Sequence, residues 1–314
     1  MRRSRLLPVT AAVAILLAAG LAAALWLDPS RRLEAAVRGT PTFEGRSAAA
    51  WGDDLKTADD VERSLAFERL RAGKAGAVPA LAWVVKSAGR PESRWHAADL
   101  LGQIGADARP AAGVLVAALG DADPTVKAMA LKSLTRLAPT ATEALPPELD
   151  GVVAALLGRF PEVEAIRAVS DYKRHAAAAV PQLAALLGHP DPAVRWNAAR
   201  ALGKIGAPAK PAAAAIVAQF NDPVSLVREH AAEALGDIGP AVAETVPDLV
   251  KALQDPDWKV RKDAVRALGQ MGPAALSVLP RVQAMKTDPE ADVREKAADA
   301  ERKIDPSLAG ARAK

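Results

Sequence analysis

Residues 194–206 read VRWNAARALGKIG, residues 227–239 read VREHAAEALGDIG and residues 260–272 read VRKDAVRALGQMG. The three stretches stand 33 residues apart, and Val293-Arg294 opens a fourth at the same interval. Self-similarity at a fixed period of this size marks a stack of small structural repeats. Within Asp222–Leu253, Asp222 is expected to cap a helix and Pro223 to sit in its first turn, where a missing N–H costs nothing. Val227, Ala231, Ala234, Leu235 and Ile238 then fall on one face of a helix, and Gly239-Pro240 stops it. Val246, Leu249, Val250 and Leu253 predict a second helix, and Asp255-Pro256 starts the next unit. Each unit is a helical hairpin that cannot bury its apolar stripe alone, so neighbours must stack. Alanines such as Ala198, Ala199, Ala231 and Ala232 suit close helix approach and have high helix propensity. The expected fold is all-α.

The pattern D-P-x-x-x-V-R-x-x-A-A-x-A-L-G-x-I-G is filled by Asp222, Pro223, Val227, Arg228, Ala231, Ala232, Ala234, Leu235, Gly236, Ile238 and Gly239. It resembles the HEAT repeat in its phycobilisome-lyase-like form. The resemblance implies a right-handed α-solenoid. It also implies an inter-repeat charge ladder joining Asp255 to Arg228 or Arg261, and a concave face lined by the Val-Arg helices. Equivalent helices start near Val61, Ser93, Val126, Glu162, Val194, Val227, Val260 and Val293, giving about eight HEAT-like hairpins over residues 47–305. Ser47 is expected to cap a short lead helix whose Trp51 covers the end of the core, and the stretch from Phe43 to Trp51 is similar to the lead-in of such repeats in exported bacterial proteins. The unit between Leu157 and Val180 lacks both Asp-Pro and Val-Arg, and a connection with three prolines, Pro139 to Pro147, precedes it. It is read as a degenerate repeat, with a hinge between two blocks as the alternative. The last unit ends in Ala300-Glu301-Arg302-Lys303, the polar face a terminal cap needs, and residues 306–314 are read as a disordered tail.

Residues 1–27 stand apart. Arg2, Arg3 and Arg5 precede Leu6–Leu27, 22 residues without a charge. That length spans the roughly 30 Å hydrocarbon core at 1.5 Å per residue. A signal-anchor is favoured over a signal peptide cut after Ala24, because cleaved signals carry apolar cores of only about 7–15 residues. Either reading places the rest on the exported, periplasmic or extracellular side, tethered or secreted. Residues 28–46, with Pro29, Gly39, Pro41 and Gly45, read as a linker. Removing Arg2, Arg3, Arg5, Arg31 and Arg32 from the 41 bases, and Asp28 from the 37 acids, leaves residues 33–314 formally neutral. The alkaline character therefore belongs to the first segment and does not indicate nucleic-acid binding.

Catalytic signals are sparse. The chain has no cysteine, hence no disulfide, thiolate nucleophile or cysteine metal site. It has no H-E-x-x-H, G-x-S-x-G, phosphate-binding loop or G-x-G-x-x-G. The repeated His-Glu dyads of metalloenzymes of the deoxyhypusine hydroxylase kind are missing; Glu229-His230 occurs once and in reverse order. The glycines read as helix ends. Asp53-Asp54 and Asp59-Asp60 read as caps, and His96 and His230 as variable exposed positions. No cofactor or metal is expected.

The remaining signal is surface. Positions two, five and nine after each arginine form one helix face: His96, Asp99 and Gln103; Asn197, Arg200 and Lys204; His230, Glu233 and Asp237; Asp263, Arg266 and Gln270. Trp95 and Trp196 follow their arginines where other units carry Glu229, Lys262 and Glu295. A residue type that varies at a fixed position is not demanded by the stack, and tryptophan and arginine are enriched at binding hot spots. These residues are read as the partner-binding face of a non-catalytic scaffold for a protein or peptide. A lyase or isomerase is the alternative implied by the resemblance, and a nucleic-acid binder, as in HEAT-like DNA glycosylases, the third.

Overall fold

The computed structural model describes residues 31, 35–36, 39–57, 59–140 and 142–309. The segments 1–27 and 310–314 lie outside these, so the anchor expected over Leu6–Leu27 and the end of the expected tail do too. Among the described residues no helix is long and apolar enough to cross a membrane. The described residues form two compact units, one ending at Leu137 and the other starting at Ala138, and the boundary falls beside the proline-rich connection.

In the first unit, the stretch read as linker carries a two-residue antiparallel hairpin, β1 (Thr42–Phe43) with β2 (Arg46–Ser47). Ser47 Oγ accepts the Ala50 N–H at 3.1 Å and caps α1 (Ala48–Asp54). Trp51 is 1% exposed and donates its Nε1–H to the Phe43 carbonyl at 2.9 Å, so hairpin and first helix close one end of the core together. There follow α2 (Asp60–Ala72), α3 (Val78–Ser87), α4 (Pro91–Ile104), α5 (Ala112–Ala118) and α6 (Pro124–Leu137). Of the two acidic pairs, Asp59 alone caps, accepting from Val61 and Glu62. Asp53, Asp54 and Asp60 instead pair with Lys56, Arg46 and Arg63.

The second unit opens with α7 (Val152–Leu157), α8 (Val163–Asp171) and α9 (Val180–Leu186). It continues with α10 (Pro192–Ile205), α11 (Ala213–Ala218), α12 (Ser225–Ile238), α13 (Val246–Ala252), α14 (Trp258–Met271), α15 (Leu279–Ala284) and α16 (Ala291–Ile304). The Val-Arg helices α10, α12, α14 and α16 start at 33-residue intervals and pack each on the next, with α11, α13 and α15 behind them. Burial follows the predicted stripe: Val227, Ala231, Ala234 and Leu235 are all 0% exposed. Each second helix is entered through a short 3₁₀ stretch, such as Gly239–Thr245. The turn before it needs a positive φ, which Gly206 and Gly239 supply at 77° and 75°.

The glycines of the Ala-Leu-Gly triplets do not end helices. Gly236 lies inside α12, where an added Cβ would sit 2.8 Å from the Ala267 Cα on α14. Gly203 and Gly269 meet Ala234 and Ala300 in the same way. They let adjacent backbones touch.

The charge ladder takes a definite form. Arg228 Nε and Nη2 donate to the two carboxylate oxygens of Asp255 at 2.7 and 2.9 Å. Arg261 donates Nη1–H to the Asp255 carbonyl at 3.0 Å, while its fork grips Asp288. Both arginines implied by the resemblance thus use Asp255, one through its side chain and the other through its backbone. Arg195–Asp222 and, in the first unit, Arg94–Asp121 repeat the fork. These hydrogen bonds raise the pKa of Arg94, Arg195, Arg228 and Arg261 and lower those of Asp121 and Asp288.

The ladder also corrects the reading of Asp222. It does not cap α12, whose N-cap is Val224; its carboxylate takes the Arg195 fork and the Val224 N–H instead. Capping falls two residues later in the repeat, at Asp191 and Asp257.

Candidate partner-binding groove

The candidate residues divide between the two units. In the first, Trp95, His96, Asp99 and Gln103 lie on α4. His96 is half-buried, with Phe67 edge-on at 4.7 Å between ring centroids. Burial, helped by the Arg63 charge, pushes its pKa down to about 4, so it is neutral at ordinary pH. Asp99 is held by Arg136 at 3.3 Å, Lys132 at 3.5 Å and the Gln103 amide at 2.6 Å. Asp99 is thus paired within the unit, while the buried His96 Nδ1 has no hydrogen-bond partner among the described residues.

In the second unit the expectation of exposed positions fails at the residue two after the arginine. Asn197 is 2% and Asp263 7% exposed, and His230 is half-buried. The position points along the seam between adjacent helices, where the neighbour covers it. Asn197 accepts from Arg167 Nε at 3.0 Å and donates to the Ala193 carbonyl at 2.7 Å. Arg167 also lies 5.5 Å from the Trp196 ring centroid, a cation–π distance. Trp196 stacks on His230 at 5.0 Å and 22°, and His230 Nδ1 lies 2.6 Å from Glu233. Glu233 is 3.4 Å from Arg266, which lies 3.3 Å from Asp263 and 3.9 Å from Asp237. Gln270 donates to Asp237 at 3.2 Å, and Lys204 reaches Asp171 at 3.0 Å.

A groove of about 730 Å³ runs across these helices, lined by Trp196 and Arg200 of α10 together with residues of α12, α14 and α16. It brings together Trp196, Arg200, His230, Glu233, Asp263 and Arg266. Asn197, Lys204, Asp237 and Gln270 are not part of its lining. Glu229, Lys262, Asp292, Glu295 and Lys296 are. Asp292 and Lys296 belong to the last unit, whose polar ending reads as a terminal cap and so hides them. The period could have found Lys296, which stands 33 residues after Asp263, and likewise Arg167, 33 before Arg200.

Two electrostatic features distinguish the groove. The His230 hydrogen bond, together with the Arg266 and Arg200 charges, holds Glu233 below the usual carboxylate range. Asp263 behaves oppositely: burial pushes its carboxyl from 3.8 up to about 6, against the Lys262 and Arg266 charges. Between those pH values the folded chain holds a proton the unfolded chain has released, so ionisation of Asp263 lowers stability as pH rises. Between about pH 5 and 7.5 the loss is roughly 1 kcal/mol. Thermal melts of Asp263→Asn should show that slope reduced and a higher melting temperature than the parent near pH 7.5; parallel curves would contradict the assignment.

The geometry therefore defines a class, a helical repeat protein with a polar groove across successive Val-Arg helices. The comparisons place it further. A model of HEAT repeats matches residues 147–236 and again 213–301, so over 147–301 the chain is built of HEAT repeats. An engineered protein of solved structure is similar at 21% identity and a TM-score of 0.50, over 91% of this chain and 93% of that one. Kap121p is similar at 16% identity and a TM-score of 0.56, and Kap121p bound to Pho4p at 15% and 0.57. Each Kap121p match covers 82% of this chain, which spans only 33% of that protein. At these identities the likeness concerns fold alone. No curated protein matches the sequence.

Proposed function

We propose that the chain is a non-catalytic scaffold that seats a protein or peptide partner in the groove of residues 138–314, with Leu6–Leu27 tethering it to a membrane and the repeats on the exported side. The carrying observation is the groove itself, whose lining side chains change type from unit to unit at fixed positions of the repeat. Its wall includes the Trp196 indole, a residue type that concentrates binding energy. The formal neutrality of residues 33–314 favours a polypeptide over a polyanion. Kap121p, similar in fold, is described in complex with another protein, Pho4p. The D-P-x-x-x-V-R pattern suggests the phycobilisome-lyase-like subclass, but the groove offers selectivity through mixed charge and shape, the means of a binding surface.

Co-purification from detergent-solubilised native membranes tests this. A stoichiometric protein should accompany the parent chain and be lost from Trp196→Ala/Arg200→Glu, with helicity unchanged. A partner retained by that variant would move the binding surface elsewhere.

A further inference from the structure

The ion pairs of the groove do not balance. Of its bases, Arg266 lies against Glu233 and Asp263, Lys296 is 3.3 Å from Glu295, and Lys262 is 3.9 Å from Asp263. Arg200 acts on Glu233 through its charge alone and has no ion pair among the described residues. Among the described residues, Glu229 and Asp292 have no ion-pair partner. Asp263 is 7% exposed and lines the groove with both cations near it, yet its carboxylate has no hydrogen bond among the described residues. Arg266 Nε approaches to 3.3 Å, yet it is itself buried without a hydrogen-bond partner, so the two groups are close but misaligned. A carboxylate removed from water needs aligned donors or a close cation.

We infer that the groove is a receptor for a cationic side chain, arginine or lysine, on an extended segment of the partner, taken up by the carboxylates of Asp263, Glu229 and Asp292 beside the Trp196 indole. This rests on the proposal that the groove is the partner's seat. Trp196 offers an apolar and π-bearing surface to the stem and head of such a side chain. An anionic ligand would meet five carboxylates, those of Glu229, Glu233, Asp263, Asp292 and Glu295, against the four bases Arg200, Lys262, Arg266 and Lys296.

Binding is linked to protonation. Asp263 is faced from α12 by Glu229, His230 and Glu233, from α14 itself by Lys262 and Arg266, and from α16 by Asp292, Glu295 and Lys296. Its carboxyl, at about 6 in the empty groove, ionises as pH rises, and a bound cation prefers the ionised form. Affinity should therefore rise with pH, by about tenfold between about pH 5 and 7.5.

The probe is N-acetyl-triarginine amide, titrated calorimetrically into the full chain in neutral detergent micelles. Saturable binding that tightens about tenfold over this range is expected. In Asp263→Asn, which keeps every other titrating group, the pH dependence should shrink below about threefold. Glu229→Gln, at a partly exposed position, should weaken binding without disturbing helicity. No saturable binding near pH 7.5, an affinity equal at both pH values, an unchanged pH dependence in Asp263→Asn, or tighter binding of a triglutamate probe would each overturn the inference. If a co-purifying partner is lost from Trp196→Ala/Arg200→Glu while triarginine fails to bind, the seat stands and its cationic occupant does not.

Discussion

Replacing Arg228 by alanine is expected to destabilise the second unit by about 2–4 kcal/mol, the cost of removing charge-assisted hydrogen bonds from a largely buried ion pair. The Arg228 and Asp255 side chains are 13% and 9% exposed, so solvent cannot replace the lost fork. Its removal leaves the Asp255 carboxylate with the Asp257 N–H, and it strips a 2.9 Å hydrogen bond from the Asp222 carbonyl. Arg228→Lys should recover less than half of the loss, because an ammonium cannot bond both carboxylate oxygens and that carbonyl in one plane. The double variant Arg228→Ala/Asp255→Ala should be less destabilised than the sum of the single changes, since it leaves no unpaired buried charge. Urea unfolding followed by circular dichroism measures these three variants, Asp255→Ala and the parent. Losses below about 1 kcal/mol for Arg228→Ala would reduce the ladder to a surface pair.

The second large effect concerns a single hydrogen atom. Gly236→Ala would gain about 1 kcal/mol in helix propensity if α12 stood alone. In the stack the new Cβ would meet the Ala267 Cα at 2.8 Å and its Cβ at 2.9 Å, and would also press on Gln270 Oε1. The glutamine can rotate away, but the α14 backbone cannot move without disturbing its packing on α16. Overpacking of this kind costs about 1–3 kcal/mol and occasionally more. Gly236→Ala should therefore be destabilising by about 1–2 kcal/mol net, and Gly236→Val by more than about 3 kcal/mol, because it adds β-branching to the clash. The same substitution at an exposed, unobstructed glycine, Gly113→Ala, should be neutral or stabilising, since nothing lies within 4 Å of its added Cβ. A stable Gly236→Val would show that adjacent repeats can separate freely, and the packing account would fail.

These two residues show what the sequence made legible. The 33-residue period and the Val-Ala-Ala-Leu-Ile stripe identify the hairpins because burial of a helix face leaves a periodic trace. The roles of Asp222 and Gly236 left no such trace. A caping aspartate and a ladder aspartate are the same letter two positions apart, and only the reach of Arg195 across the repeat distinguishes them. A glycine inside a helix resembles a helix end until the neighbouring backbone is in place. The groove was partly legible for the same reason. Trp196, Arg200 and Glu233 were singled out by their variation at a fixed position, but variation says nothing about depth, and Asn197 and Asp263 proved to be in the seam. Arg167 was hidden by the loss of Val-Arg in its unit, although it still lies one period before Arg200 and reaches Asn197.

The most direct test of the groove as partner seat is site-specific photo-crosslinking of the full chain in its native membranes. A benzophenone amino acid would replace Arg200, which lines the groove, or Lys251, which is exposed on α13 away from it. The account predicts one crosslinked protein from the Arg200 position, absent when Trp196 is also changed to alanine, and none from the Lys251 position. A product from Lys251 with none from Arg200 would contradict it and place the partner against α13 and the other second helices.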